Sequence, residues 1–214
     1  TLGTRNDYDT AVGPVSVAIA DFDADGRPDL AAATQISGTV SVLLGNGNGT
    51  FGPRTDFAAG TSPSDVEAAD LNGDGRQDLA VANGPGTVSV LLGNGDGTFG
   101  PRTEYAAGIN PTSVAIADLN ADGRPDLALT NVVPTFPPSP GSVSVLIGNG
   151  DGTFGTRTSY GVGDFPIEVA IADINADTRP DLAVTNFGSN TVSVLPGGGG
   201  GSFGAKTDIL TGLG

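Results

Sequence analysis

Apolar residues in this chain fall in short runs broken by turn-formers, as in Ser16–Ala20 (SVAIA), Leu30–Ala33 (LAAA) and Thr39–Leu44 (TVSVLL), each framed by Gly, Pro, Asn or Asp. Short β-branched runs in such frames predict strands joined by turns. No stretch carries apolar residues at i, i+3, i+4 and i+7 over a dozen positions, so no helix is predicted.

The pattern repeats four times. PVSVAIADFDADGRPDLAAA from Pro14 recurs as PSDVEAADLNGDGRQDLAVA from Pro63, PTSVAIADLNADGRPDLALT from Pro111 and PIEVAIADINADTRPDLAVT from Pro166. Each copy is followed by a second block: TVSVLLGNGNGTFGPRTDF, TVSVLLGNGDGTFGPRTEY, SVSVLIGNGDGTFGTRTSY or TVSVLPGGGGGSFGAKTDI. The units span 14–62, 63–110, 111–165 and 166–214, after a leader at 1–13. Within the first unit the strands are predicted near 15–20 (A), 29–33 (B), 39–44 (C) and 54–58 (D). Four strands per unit of 40 to 50 residues predict the blades of a β-propeller, an all-β fold of four-stranded antiparallel blades around an axis. An open solenoid fits less well, because its coils are shorter and parallel, whereas LLGNGDGTFG carries the Asn-Gly and Asp-Gly signals of antiparallel hairpins.

Composition removes several chemistries. The 214 residues include no His, Cys, Met or Trp, which excludes disulfides, a thiolate nucleophile, a Cys/His zinc site and imidazole general-base catalysis. No run of 18 apolar residues exists, so no membrane span is predicted, and no leader of a secretory type precedes the first unit. The formal charge of −15 argues against a nucleic-acid partner, and all nine basic residues sit at two repeated positions, leaving no basic patch.

More than half of the 24 acids fall in one nine-residue window between strands A and B. The copies are Asp21, Asp23, Asp25 and Asp29; Asp70, Asn72, Asp74 and Asp78; Asp118, Asn120, Asp122 and Asp126; and Asp173, Asn175, Asp177 and Asp181. Oxygens at positions 1, 3, 5 and 9, with a carbonyl at position 7, suit a hard cation wanting six to eight oxygens. Carboxylates packed this closely without a cation repel one another. Turn-making alone explains one such loop but not four with the same oxygen positions. An EF-hand is excluded, since Ala32, Val81, Leu129 and Val184 stand where its bidentate Glu would be. Calcium, one ion per unit and up to four, is the expected occupant.

DFDADGRPDL, DLNGDGRQDL and DLNADGRPDL followed by VSVLLGNGDGTFG resemble the FG-GAP or VCBS-type repeat of integrin α-subunit propellers, fungal propeller lectins and many secreted bacterial proteins. The resemblance covers essentially the whole chain. It implies a propeller with calcium in each A–B loop, held by the side chains at positions 1, 3, 5 and 9 and by the position-7 carbonyl, here Arg27, Arg76, Arg124 and Arg179. It implies no single activity, because the family includes receptors, lectins and accessory domains of enzymes.

The fourth unit departs from the pattern. Thr178 replaces Gly26, Gly75 and Gly123, and the pentaglycine 197–201 loosens the C–D turn, so the fourth calcium site is expected to be the weakest. At an extracellular-type affinity of about 0.1 mM and about 1 mM free calcium, each site adds roughly 1.4 kcal/mol. Cytosolic calcium would supply little of this, so the chain is expected outside the cell or on its surface, with calcium as structural cement.

Function is sought in what does not repeat. In a propeller the A–B and C–D loops share one face, and the B–C and D–A loops share the other. The second face carries the long third B–C loop NVVPTFPPSPG (131–141), expected to expose Val132, Val133 and Phe136, with Phe165 and Phe187 nearby. Val133, Phe136, Phe165 and Phe187 form the candidate ligand surface, for a glycan or protein partner. The absence of Trp leaves a sugar-stacking platform poorly supplied. With the acids assigned to calcium and no base or nucleophile left, the expectation is a non-catalytic recognition or adhesion module.

The leader TRNDYDTAVG resembles a D strand, although the fourth unit has its own in AKTDILTG. The surplus strand admits three explanations: a piece of a larger propeller, a closed four-blade ring with a spare strand, or a subunit that lends its strand to a neighbour and self-associates.

Overall fold

The computed structural model describes residues 5–212. Four four-stranded antiparallel sheets form, each in sequential order, and no helix occurs among the described residues. Blade 1 is β1 (Pro14–Ala20), β2 (Asp29–Thr34), β3 (Thr39–Leu43) and β4 (Thr55–Ala58). Blade 2 is β5 (Pro63–Ala69), β6 (Asp78–Asn83), β7 (Thr87–Leu91) and β8 (Thr103–Ala106). Blade 3 is β9 (Pro111–Ala117), β10 (Asp126–Asn131), β11 (Pro140–Leu146) and β12 (Thr158–Asp164). Blade 4 is β13 (Pro166–Ala172), β14 (Asp181–Asn186), β15 (Thr191–Leu195) and, after the short ribbon β16 (Gly197–Gly199) and β17 (Ser202–Phe203), β18 (Thr207–Leu210).

Alternation sets the packing. Each strand sends successive side chains to opposite faces, and both faces of a middle blade meet a neighbour, so the B and C strands of blades 2 and 3 are buried almost throughout. Ala18, Ala31, Val40 and Val42 of blade 1 pack on Val66, Leu79, Val81 and Leu91 of blade 2. The same positions recur between blades 2 and 3 and between blades 3 and 4. The four A strands line one central channel, touched by Ser16, Glu67, Ala115 and Ile167. Each of them begins with a proline, which cannot donate to the ladder, and the A–B register shifts beside it.

Three expectations change. Val132 is buried, its N–H donating to the Asn110 carbonyl, so the third B–C loop exposes fewer apolar residues than its sequence suggests. The pentaglycine is not a loose turn, for Gly197 and Gly199 pair with Phe203 and Ser202 in a two-stranded ribbon. The leader lies against blade 1 without joining a sheet, because no C strand stands beside it among the described residues. Core clusters join only consecutive blades, so blades 1 and 4 each keep one uncovered face.

Candidate metal centres and the opposite face

Each A–B loop is a cage of carboxylates held by backbone amides. In blade 1 the two oxygens of Asp21 accept the N–H groups of Asp25 (3.1 Å) and Gly26 (2.8 Å), and Asp25 accepts that of Arg27 at 2.9 Å. Gly75, Gly123 and Thr178 make the Gly26 contact in the other blades. The bonds require a sharply curled loop, and position 6 lies in the left-handed region: Gly26 at φ +83°, Gly75 and Gly123 at +82°, and Thr178 at +70°. A β-branched residue there costs roughly 1–2 kcal/mol. Position 4 is left-handed as well, with Ala24, Ala121 and Ala176 near +60°, a strain the repeat pattern did not announce.

Position 9 does two jobs. Asp29, Asp78, Asp126 and Asp181 are buried, and each spends one oxygen on the amide of position 2 and the other on the first glycine of the C–D turn, as Asp29 does with Phe22 (2.7 Å) and Gly45 (2.6 Å). That glycine is obligatory, because a Cβ on Gly45 would stand 2.1 Å from the Pro28 carbonyl. Each carboxylate oxygen keeps a second lone pair for a cation. Burial raises the Asp78 and Asp126 carboxyls above their ordinary range, their backbone donors notwithstanding.

Oxygens of Asp21, Asp23 and Asp29 lie within 4.8 Å of one another. Two oxygens sharing one calcium at roughly 2.3–2.6 Å can be at most about 5 Å apart, so the three fit a single ion. Desolvation, followed by its acidic neighbours, raises the Asp23 carboxyl, as expected for crowded acids without a counter-ion. The guanidinium of the position-7 arginine bonds the outer oxygen of position 5; Arg124 meets Asp122 at 2.6 Å and holds that carboxyl down at about 2. The arginine therefore contributes a counter-charge besides the backbone carbonyl assigned to it from sequence, and position 5 is shared between guanidinium and any ion. Arg27, Arg76 and Arg179 form the same pairs with Asp25, Asp74 and Asp177.

The opposite face holds a hollow of about 560 Å³ built from all four repeats, lined by Gln35, Ser62, Asn110, Pro134 and Phe165 among others and by no charged side chain. Phe165 is partly exposed, with φ +53°, and stands edge-on to the more exposed Phe187 with ring centroids 6.2 Å apart. Of the four candidate surface residues the structure brings these two together. Phe136 is 98% exposed and apart from them, and Val133 is half-buried within its own loop. The hollow itself was not legible, since Gln35 and Asn110 come from different repeats. A usable signal existed: Gly13, Ser62, Asn110 and Phe165 all precede the A-strand proline, and only the last is ill-suited to a left-handed backbone.

The FG-GAP-like repeat model matches residues 21–81, 70–129 and 132–184. The chain belongs to that family. Among solved structures, this FG-GAP chain is similar to the Photorhabdus luminescens Tc holotoxin pore with mutation TccC3-D651A, at 20% identity over 91% of this chain and 9% of that one, with a TM-score of 0.47. It is also similar to BBS1N, crystallised in complex with ARL6DN and soaked with lead, at 13% identity over 94% of this chain and 57% of that one, with a TM-score of 0.61. The second likeness is one of fold alone. The FG-GAP repeats thus span only part of the length of either solved chain. No curated protein matches. Among the described residues no helix is long and apolar enough to cross a membrane.

Proposed function

We propose that this propeller is a calcium-stabilised, non-catalytic recognition or adhesion module of an extracellular or cell-surface protein, which engages a glycan or protein partner on the face opposite the metal loops. In each A–B loop the side chains at positions 1, 3, 5 and 9 and the position-7 carbonyl would hold the ion. When bound, calcium supplies the positive charge that crowded carboxylates lack and fixes the loop without taking part in chemistry. Outside these loops the sequence offers no imidazole or thiol for catalysis.

The observation that carries the reading is Phe165. Aromatic residues avoid the left-handed region, yet Phe165 is held there at φ +53°, partly exposed over an uncharged hollow and against Phe187. Such strain is tolerated where a side chain is wanted for contact, and an aromatic pair at the rim of a pocket of a few hundred Å³ is the common anatomy of a recognition site.

The test is a glycan array and a cell-surface binding assay, each run in calcium and in chelator, with wild type, Phe165→Ala and Phe187→Ala. Calcium-dependent binding that drops at least tenfold in either variant supports the reading. Binding that is unaffected by both, or the absence of binding in both assays, overturns it.

A further inference from the structure

The three internal blade contacts share one design, and each end of the array carries half of it. Blade 2 presents Val66, Leu79, Val81 and Leu91 to blade 1. Blade 1 has the equivalent set at Val17, Leu30, Ala32 and Leu43 with no blade upon it; Val17 is 56% exposed where Val66 is 1%. The other half lies on blade 4, where Ala170, Val192 and Val194 occupy the positions that Ala18, Val40 and Val42 bury against blade 2.

The leader supplies a further piece of the absent neighbour. Arg5–Gly13 matches Arg54–Ser62 position for position, including the ion pairs Arg5–Asp7 and Arg54–Asp56. Tyr8 stands edge-on to Phe51 at 5.2 Å, as Phe57 of blade 1 stands to Phe99 of blade 2 at 5.2 Å. The leader is held by Arg54, which donates to the Thr10 carbonyl at 2.6 Å, and by Ser41, which accepts the Ala11 N–H at 2.9 Å. It is a D strand in place over blade 1, with no C strand beside it among the described residues. At the other end, β18 is exposed along its whole length, and its Ile209 stands where the other D strands have an aromatic ring.

We propose that a second copy of this chain docks its blade 4 on the uncovered face of blade 1, and that its β15 exchanges β18 for the leader of the first copy. The exchange replaces one short ladder by another, with Asp7 taking the place of Asp208 beside Ser193 and Tyr8 that of Ile209. The net gain is the burial of two apolar faces already shaped for each other. Made reciprocally, the contact closes two copies into a ring of eight blades, within the four to eight of known propellers.

Sedimentation velocity in calcium buffer on residues 1–214, 1–206 and 10–214 tests this. The full chain moves to twice its monomer mass with rising concentration, 1–206 does so at a concentration at least tenfold lower because the competing strand is gone, and 10–214 stays monomeric. As a check that needs no truncation, Asp7→Cys and Ser193→Cys are made in separate full chains, mixed and oxidised. The native chain has no cysteine, so a cross-linked pair reports the exchange directly. Folded 1–206 that remains monomeric, 10–214 that associates as well as the full chain, or mixed variants that do not cross-link each overturn the proposal. None of these outcomes depends on the Phe165 face.

Discussion

Gly97 donates its N–H to the carbonyl of Phe22 at 3.0 Å, which ties the C–D turn of blade 2 to the second position of the metal loop of blade 1. Gly152 and Leu71 repeat the bond between blades 3 and 2 at 3.1 Å, whereas the equivalent Gly201 and Leu119 do not make it. A loop that calcium stiffens thus holds the next blade as well as itself. Adding calcium should slow amide exchange at Gly97 and Gly152 by tenfold or more and leave Gly201 nearly unchanged, as measured by hydrogen-exchange NMR. Equal slowing at all three would show that calcium acts on each loop alone.

The four loops should fill in order of charge and strain. Blade 1 offers Asp23 at position 3 where the others have Asn, and blade 4 carries Thr178 in the left-handed region. Without the ion the fourth loop can relax from that conformation, so binding bears the strain. Calcium titration followed residue by residue should see the Asp21–Asp29 loop saturate first and the Asp173–Asp181 loop last. Thr178→Gly should stabilise the calcium-loaded protein by about 1 kcal/mol and move the fourth site earlier. No gain in thermal stability from that substitution would remove strain as the cause.

Position 9 should matter with or without metal. Asp78 is buried and accepts the amides of Leu71 at 2.9 Å and Gly93 at 2.7 Å, so Asp78→Ala strands two donors and should cost about 3 kcal/mol or more in both calcium and chelator. Asp70 is exposed to solvent at the loop mouth, and Asp70→Ala should destabilise mainly in calcium, with a deficit within about 1 kcal/mol in chelator. Urea unfolding of both variants with and without chelator separates the two roles.

Much of this molecule is legible because four copies average out local ambiguity. The strand positions, the blade and the oxygens at 1, 3, 5 and 9 all follow from residues that recur in register. What the sequence hides is what only one copy does, or what copies do jointly. Nothing near Val132 says that its N–H will find Asn110 and bury it. Nothing in ADG or ADT says that Ala24, Ala121 and Ala176 will be left-handed; that follows from the Asp at position 1 drawing in two amides at once. The hollow beneath Phe165 exists only when loops from separate repeats meet.

The central channel supplies a pH-dependent test outside the metal loops. Glu67 stands on the A strand of blade 2 where blades 1 and 3 have alanine, in a channel that Asp65 and Glu168 also line. Desolvation first, and then the charge of Asp65, raise its carboxyl above the ordinary range. A carboxyl whose folded value lies above its unfolded one binds its proton more tightly in the native state. Its ionisation therefore costs nothing below the ordinary carboxylate range, and it weakens the fold as pH rises through that range to the raised value. Glu67→Gln should then be more stable than wild type at pH 7, by an amount within about 0.5 kcal/mol since water reaches the side chain, and indistinguishable from it at pH 3. Thermal unfolding of the two proteins across that interval in chelator, so that metal occupancy does not vary, decides it; a gain that is the same at both ends would mean that packing and not charge governs the site.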